Sequence, residues 1–519
     1  MKRKKVILLI LDGWGQGEEN ISNPFRLAKT PTFNYLQKNF PFCLLNASGY
    51  AVGLSSFEPG NCEIGHLTIG TGIVYYQPAV KINLAIENKE FFKNEILLNI
   101  FDHCQKFNSK LHLITLLSKS NQISDFNHLI AVLELCREKN FNNVYLHLFT
   151  DGIDSPHKSA LSLIEKLETY QKTKNLPGKI ATLCGRFYSL DKTGDYFFKT
   201  QRTFLLLFEG KGTLINDLKN FLTLKYKEKD FNDDILEPVI LDSEGIIKDN
   251  DAILFLIHEN KYIYQLANSF LNPNFQEFKR PQRENLFITS LVRYLDVDYP
   301  VIFEKQKILT HLTKIISENN LKQIKIIDEK NKALLKYYFN GFIEEEHPGE
   351  IFKILPSFSD DINILKEQIK EFFNFLEITI KESLFDVIIA NLSVFNNVGH
   401  TGNFNLAIQV IEEVDKYLKN LIDKTLENGY SLILTSDHGK IEKMINFKTG
   451  KKYTENTLNP VPFILVDKDY FKEKTTQELI IEKKKIRGSL VDITPTILEL
   501  LDIPIPSSFM GKSLLNFFK

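Results

Sequence analysis

Cysteine is scarce in this 519-residue chain, and the five present (Cys43, Cys62, Cys104, Cys136, Cys184) include no CxxC pair. An odd, widely spaced set argues against a disulfide framework and for a reducing compartment. Net charge is also lacking, since 64 Lys and Arg against 65 Asp and Glu leave −1. A chain so balanced carries no field to gather nucleic acid or an acidic membrane surface. Apolar runs long enough to span a bilayer are missing. The basic start Met1-Lys2-Arg3-Lys4-Lys5 and the apolar run 6–11 imitate a signal peptide. That run stops after six residues at Asp12, with no small-residue cleavage site nearby. The expectation is a buried first strand in a cytoplasmic protein. Repeats, heptads and Gly/Ser linkers are absent too.

What is present is ordinary for a folded chain: 43% hydrophobic and 25% charged residues. At about 100–200 residues per domain, the length allows two to four domain equivalents. Short apolar stretches alternate with longer amphipathic ones, the pattern of an α/β fold with a largely parallel sheet. Residues 405–428 carry Val410, Val414, Tyr417, Leu418 and Leu421 at helical spacing, with Gly429 as the stop signal. Strands are expected at 6–11, 144–149, 387–391 and 430–435. Polar residues and glycine sit repeatedly where these strands end, the edge at which open parallel sheets bind ligands. The Lys- and Glu-rich segment 468–485 reads as a solvated face.

Three segments could carry chemistry. In Glu58-Pro59-Gly60-Asn61-Cys62-Glu63-Ile64-Gly65-His66, flanking glycines permit a tight turn, with Cys62 at its tip or opening a helix. A helix N-terminus lowers a thiol pKa and welcomes phosphate, although a lone cysteine is more often a small buried hydrophobe. Asp12, Asp437 and His438, at two strand ends, offer hard oxygens and an imidazole to a divalent metal. A third loop, Asn396-Asn397-Val398-Gly399-His400-Thr401-Gly402, presents His400 either as a ligand or as a histidine bonded to backbone.

These segments, with Leu11-Asp12-Gly13-Trp14-Gly15, Ala28-Lys29-Thr30-Pro31-Thr32, Asp151-Gly152, Gly185-Arg186, Phe339-Asn340-Gly341, Asn459-Pro460-Val461-Pro462 and Asp492-Ile493-Thr494-Pro495-Thr496, occur in an order that resembles the cofactor-independent (2,3-bisphosphoglycerate-independent) phosphoglycerate mutases of the alkaline phosphatase superfamily. The resemblance runs nearly end to end. It implies an alkaline-phosphatase-like doubly wound sheet domain interrupted by an inserted α/β phosphotransferase-type domain. The expected division is a metal-binding domain at 1–76 and 309–519, with a substrate-binding domain at 77–308. It further implies a glycolytic isomerase that interconverts 3- and 2-phosphoglycerate through a phosphoenzyme. In the family a serine nucleophile works with two metal ions, usually manganese, which activate it and neutralise phosphoryl charge.

Residue by residue, the match is broken at the chemistry. Cys62 holds the nucleophile place. For one metal, Asp12, Asp437 and His438 are kept, with Cys62 in the bridging place. For the other, His400 is kept, but the usual aspartate is Asn396 and the usual histidine is Asn456. None of the eleven histidines follows His438, so no local substitute exists. On the substrate side Asp154 and Arg186 remain and Lys192 replaces an arginine. Ile123, Ile153, Glu259, Tyr262 and Asn331 stand where the resemblance implies a histidine, three arginines and a lysine. Each hydrogen bond to a charged group contributes roughly 1.5–3 kcal/mol. Three lost cationic contacts therefore remove about 4.5–9 kcal/mol, on the order of three to six decades.

The expectation is a monomeric member of the family with mutase activity lost or strongly impaired, a pseudoenzyme that binds or regulates. The alternatives are an active mutase or an altered metal-dependent phosphotransferase or hydrolase. In the latter, Cys62 would work at a single metal site; the cofactor is a divalent metal, manganese by the resemblance, or else a single zinc or none. Its ligand would be phosphoglycerate or another small phosphorylated metabolite, with no nucleic acid or membrane partner. A sulfatase-type cysteine modification is disfavoured, because Glu63-Ile64-Gly65-His66 lacks the Pro and Arg it uses.

Overall fold

The computed structural model describes residues 3–191 and 197–518. They form two compact units, one of Met1–Tyr76 with Lys307–Lys519 and one of Gln77–Gln306.

The first unit is built on an eight-stranded sheet. Its order is Glu350–Leu355, Gln323–Asp328, Val387–Leu392, Lys5–Leu11, Tyr430–Thr435, Val461–Val466, Phe42–Asn46, Ile486–Ser489. Both faces are covered, which is why the central strands read as unbroken apolar runs. Strand residues point alternately to the two sides. Ile7, Leu9 and Leu11 pack into a core with helices Ile362–Glu382 and Phe404–Glu427. Val6, Leu8 and Ile10 pack into another with helices Cys62–Thr71 and Ile493–Leu500. Parallel register pairs Leu11 with Leu392 and Ile10 with Thr435, so three strands end together, releasing Asp12, Ser393 and Ser436-Asp437-His438 at one edge.

One local expectation is corrected here and another gains an exception. Residues 396–402 are not a loop: Val394–Thr401 is a helix closed by Gly402 at φ +60°. Burial of Val394, Phe395 and Val398 overrides the loop-like Asn-Asn-Val-Gly string. Segment 468–485 is mostly exposed, yet Lys474 is buried and donates to the Gln37 and Phe40 carbonyls. The sheet itself is mixed, because Val461–Val466 runs antiparallel to both neighbours.

The second unit carries its own eight-stranded sheet. The order is Val301–Phe303, Phe287–Val292, Ala252–Phe255, Leu111–Leu117, Val144–Thr150, Lys179–Gly185, Val239–Ile240, Thr213–Leu214. Its first six strands are parallel and the short last pair is reversed. Among the described residues no helix is long and apolar enough to cross a membrane. All five cysteines are free, and four are buried in the cores, leaving Cys62 partly accessible.

Candidate metal centre

Cys62 is the first residue of helix Cys62–Thr71, whose N-cap Asn61 accepts a hydrogen bond from the Ile64 amide. Two glycines let this helix end approach the strand edge. A Cβ on Gly65 would lie 2.5 Å from the Asp437 carbonyl oxygen, and one on Gly60 would collide with the Ala47 carbonyl. The Cys62 thiol reaches His438 Nε2 at 3.2 Å and Asp12 Oδ1 at 3.4 Å. One donor atom from each of Asp12, Cys62, Asp437 and His438 lies within 4.8 Å of the others. Among the described residues no other cluster of three or more His, Cys, Asp or Glu side chains is so close.

The protonation pattern suits a cation. His438 Nδ1 faces the Gly439 carbonyl at 3.1 Å. A carbonyl only accepts, so Nδ1 carries a proton, and Nε2 is the nitrogen turned to the cluster, where a divalent ion would displace its proton. Asp437 Oδ1 accepts from the Gly13 amide. Its Oδ2 is buried without a well-formed hydrogen bond, with His66 Nδ1 at 3.4 Å and His438 Nε2 at 3.6 Å. Burial alone would neutralise His438, but Asp437 and Asp12 outweigh it and raise its pKa to about 9. Burial likewise opposes ionisation of Asp437, and the two histidines beside it reverse that and hold it low. Two buried carboxylates, one lacking a hydrogen-bond partner on an oxygen, together with a thiol and an oriented imidazole, fit one divalent ion.

The thiol itself departs from expectation. Its pKa is pushed well above the ordinary value by burial first and by Asp12 and Asp437 next. Burial and the two carboxylates together outweigh the helix N-terminus and the lowering effect of Lys440.

The other expected metal position does not fit a second divalent ion. Asn396 turns its amide Nδ2 to the Cys62 sulfur at 3.2 Å, leaving Oδ1 buried without a partner. Asn456 donates Nδ2 to the Gly60 carbonyl at 2.7 Å and accepts from Lys440 Nζ at 2.8 Å. His400 lies on an exposed helix face outside the four-residue cluster. Neither asparagine supplies an anionic or imidazole donor, and an ammonium already occupies one of them.

Three residues were not singled out from the sequence. His66, one helical turn after Cys62, is buried with Nδ1 toward the Cys62 carbonyl at 2.7 Å and Nε2 toward Asn391 Oδ1 at 3.0 Å. Burial opposes its charge, but Asp437 outweighs that and raises its pKa. Its i, i+4 spacing from Cys62 was the available signal. Glu442 accepts from the Gly15 and Lys440 amides, Asn459 and Thr457, tying two glycine- and proline-bearing motifs together. Lys440, two residues beyond His438, gave no sign beyond that proximity.

In the second unit, Arg186 Nη1 is held by Asp151 Oδ1 at 2.7 Å and Asp154 Oδ2 at 2.6 Å, and its guanidinium lies 5.4 Å from the Tyr262 ring centre. Ser118 donates to the other oxygen of Asp151. Burial opposes ionisation of Asp151, but Ser118, Arg186 and two backbone amides hold its carboxyl low. Ile123 is buried and lends its carbonyl to the His258 amide, whereas Ile153 is exposed. Glu259 sits at the N-cap of helix Asn260–Leu271 without a side-chain capping bond. Lys192 lies outside the described residues. In the first unit, Asn331 donates to both oxygens of Asp328.

A sheet sandwiched between helices, with metal-type donors at its strand ends, defines an alkaline-phosphatase-like metalloenzyme fold, and residues 4–505 match the model of the Metalloenzyme superfamily. Among similar proteins, 2,3-bisphosphoglycerate-independent phosphoglycerate mutase 1 of Methanosarcina acetivorans is 35% identical, covering 99% of each chain. The corresponding mutase of Clostridium tetani is 34% identical over 99% of this chain and all of that protein. The solved phosphoglycerate mutase of Leishmania mexicana, studied at low cobalt concentration, superposes with a TM-score of 0.60 at 24% identity. That match covers 99% of this chain and 98% of the other. The chain belongs to the family of 2,3-bisphosphoglycerate-independent phosphoglycerate mutases.

Proposed function

We propose that this family member keeps one metal centre and has lost, or largely lost, the interconversion of 3- and 2-phosphoglycerate. The observation that carries this is the commitment of the neutral side chains of Asn396 and Asn456 to hydrogen bonds with Cys62, Gly60 and Lys440, where a second metal would need charged or imidazole ligands. Substitution of substrate-side cations by Ile153, Glu259 and Tyr262 supports the same reading. Under it, the unit of Met1–Tyr76 and Lys307–Lys519 is the metal-binding part, and Gln77–Gln306 held the substrate through Asp154, Arg186 and Lys192. The protein is then a cytoplasmic binding or regulatory protein for a small phosphorylated metabolite, acting as a monomer.

A second reading is favoured by the close four-donor cluster: a phosphotransferase or hydrolase using Cys62 at a single metal. When bound, a divalent ion would depress the thiol pKa and neutralise phosphoryl charge. Asp12, Asp437 and His438 would hold it, and thiolate softness favours zinc over manganese.

The test is a mutase assay with manganese, cobalt and zinc, run beside Asn396→Asp, Asn456→His and Cys62→Ser combined. Turnover at ordinary enzymatic rates by the unaltered protein refutes loss of activity. Recovery in the triple variant places the defect at the metals, and silence that persists after Lys440→Met is added places it in the substrate pocket. Zinc binding that survives Cys62→Ala unchanged counts against the second reading.

A further inference from the structure

Lys440 is an almost completely buried lysine, and its surroundings are those of a cation site. Its aliphatic stem lies along Gly399: a Cβ there would come within 2.8 Å of Lys440 Cγ and Cδ and 3.1 Å of Cε. Gly399 immediately precedes His400. The ammonium then donates to the Thr454 carbonyl at 2.9 Å and to Asn456 Oδ1 at 2.8 Å. It also exerts a charge interaction on both His400 and Cys62. Asn396, the remaining member of this set, donates to Cys62 and keeps Oδ1 buried and unsatisfied. Asn456, His400 and Asn396 are the three positions that would have held a second metal. A single side chain touches or electrostatically couples to two of them and to the thiol between.

Resting on the single-metal reading above, we infer that the Lys440 ammonium is a built-in replacement for the second cation, so that the site takes one divalent ion and excludes another. Replacement of ligands by asparagine removes the donors that a second ion would need. The ammonium adds like-charge repulsion that persists even when those ligands are restored. Neutral amides are also the partners an ammonium needs, because they accept its hydrogen bonds without fixing a divalent ion.

The experiment measures zinc and manganese per chain by elemental analysis and calorimetric titration in full-length proteins, with circular dichroism and thermal melts confirming folding. Four proteins are compared: the unaltered chain, Asn396→Asp with Asn456→His, and that pair combined with Lys440→Met or with Lys440→Gln. The Gln version keeps an N–H for the Thr454 carbonyl in case the Met version fails to fold. The expected result is one ion in the unaltered chain, still one in the double variant, and two once Lys440 is neutralised. A second ion in the double variant, with Lys440 in place, overturns the inference while leaving the metal centre standing. A folded triple variant that stays at one ion also overturns it. Failure of the unaltered chain to bind any ion removes the metal-centre reading, and this inference with it.

Discussion

Gly65→Ala isolates how backbone proximity positions the metal-type donors. The added methyl would lie 2.5 Å from the Asp437 carbonyl oxygen and 2.7 Å from Asp437 Cβ. Ordinary contacts begin at about 3.5 Å, so helix Cys62–Thr71 and the Asp437 loop must part by roughly 1 Å. Neither neighbour is the free end of a flexible side chain, so both backbones resist. Overpacking of this kind costs about 1–3 kcal/mol. The same movement carries Cys62 away from His438 and Asp437, well beyond the ~0.2 Å tolerated in metal–ligand distances. Zinc affinity should fall about 10- to 100-fold, as when an orienting partner is lost. The assay is a competitive zinc titration against a chromophoric chelator, paired with urea unfolding. Gly429→Ala is the control. Its φ is +73°, with no heavy atom within 4 Å of the new Cβ. It should cost about 1 kcal/mol of stability and leave zinc affinity alone. Zinc affinity in Gly65→Ala equal to that of the unaltered protein would refute the reasoning.

Other predictions concern the cores. Lys325, buried against Glu350 at 2.8 Å and Asn340 Oδ1 at 2.6 Å, has its pKa lowered to about 8 by burial, despite Glu350. Lys325→Met strands that carboxylate and should cost about 3–5 kcal/mol, most of it recovered by adding Glu350→Met. Urea midpoints decide this, and a single-variant loss below about 1 kcal/mol rejects it. In the second unit, His147 accepts from Thr182, donates to His112, and His112 donates to Asp251. That chain is satisfied with both rings neutral. Burial holds His112, His147 and His258 below the usual histidine range and takes His128 to about 3. Folded pKa values below the unfolded value mean stability is present above about pH 6.5 and lost as pH falls. At pH 5 the loss should be about 2 kcal/mol for His128, with a further loss in the same direction from His147. Hydrogen exchange in strand Leu111–Leu117 should quicken accordingly, and equal protection at pH 7 and pH 5 would contradict it. Finally, Arg186→Met leaves Asp151 buried without its cation and should cost about 3–5 kcal/mol in urea unfolding. An unchanged midpoint would show that the ion pair is dispensable.

Much of this molecule was legible from its residues alone. Unbroken apolar runs such as Val6-Ile7-Leu8-Leu9-Ile10-Leu11 announce strands covered on both faces, and the polar residues that follow each run mark the edge where donors gather. Those are local patterns of period and punctuation, which sequence order preserves. Asp12, Asp437 and His438 stood out in that way, and the family resemblance joined Cys62 to them before any distance was known. Tertiary structure decided what local patterns cannot carry. The helix Val394–Thr401 exists because Phe395 and Val398 find a core, against the loop-like look of their neighbours. The Cys62 thiol is held neutral because burial beside Asp12 and Asp437 outweighs the helix N-terminus. His66 and Lys440 acquire their meaning only when the strand ends are brought together. The chemistry of the residues was written in the chain, but their charge states depend on neighbours up to hundreds of positions away.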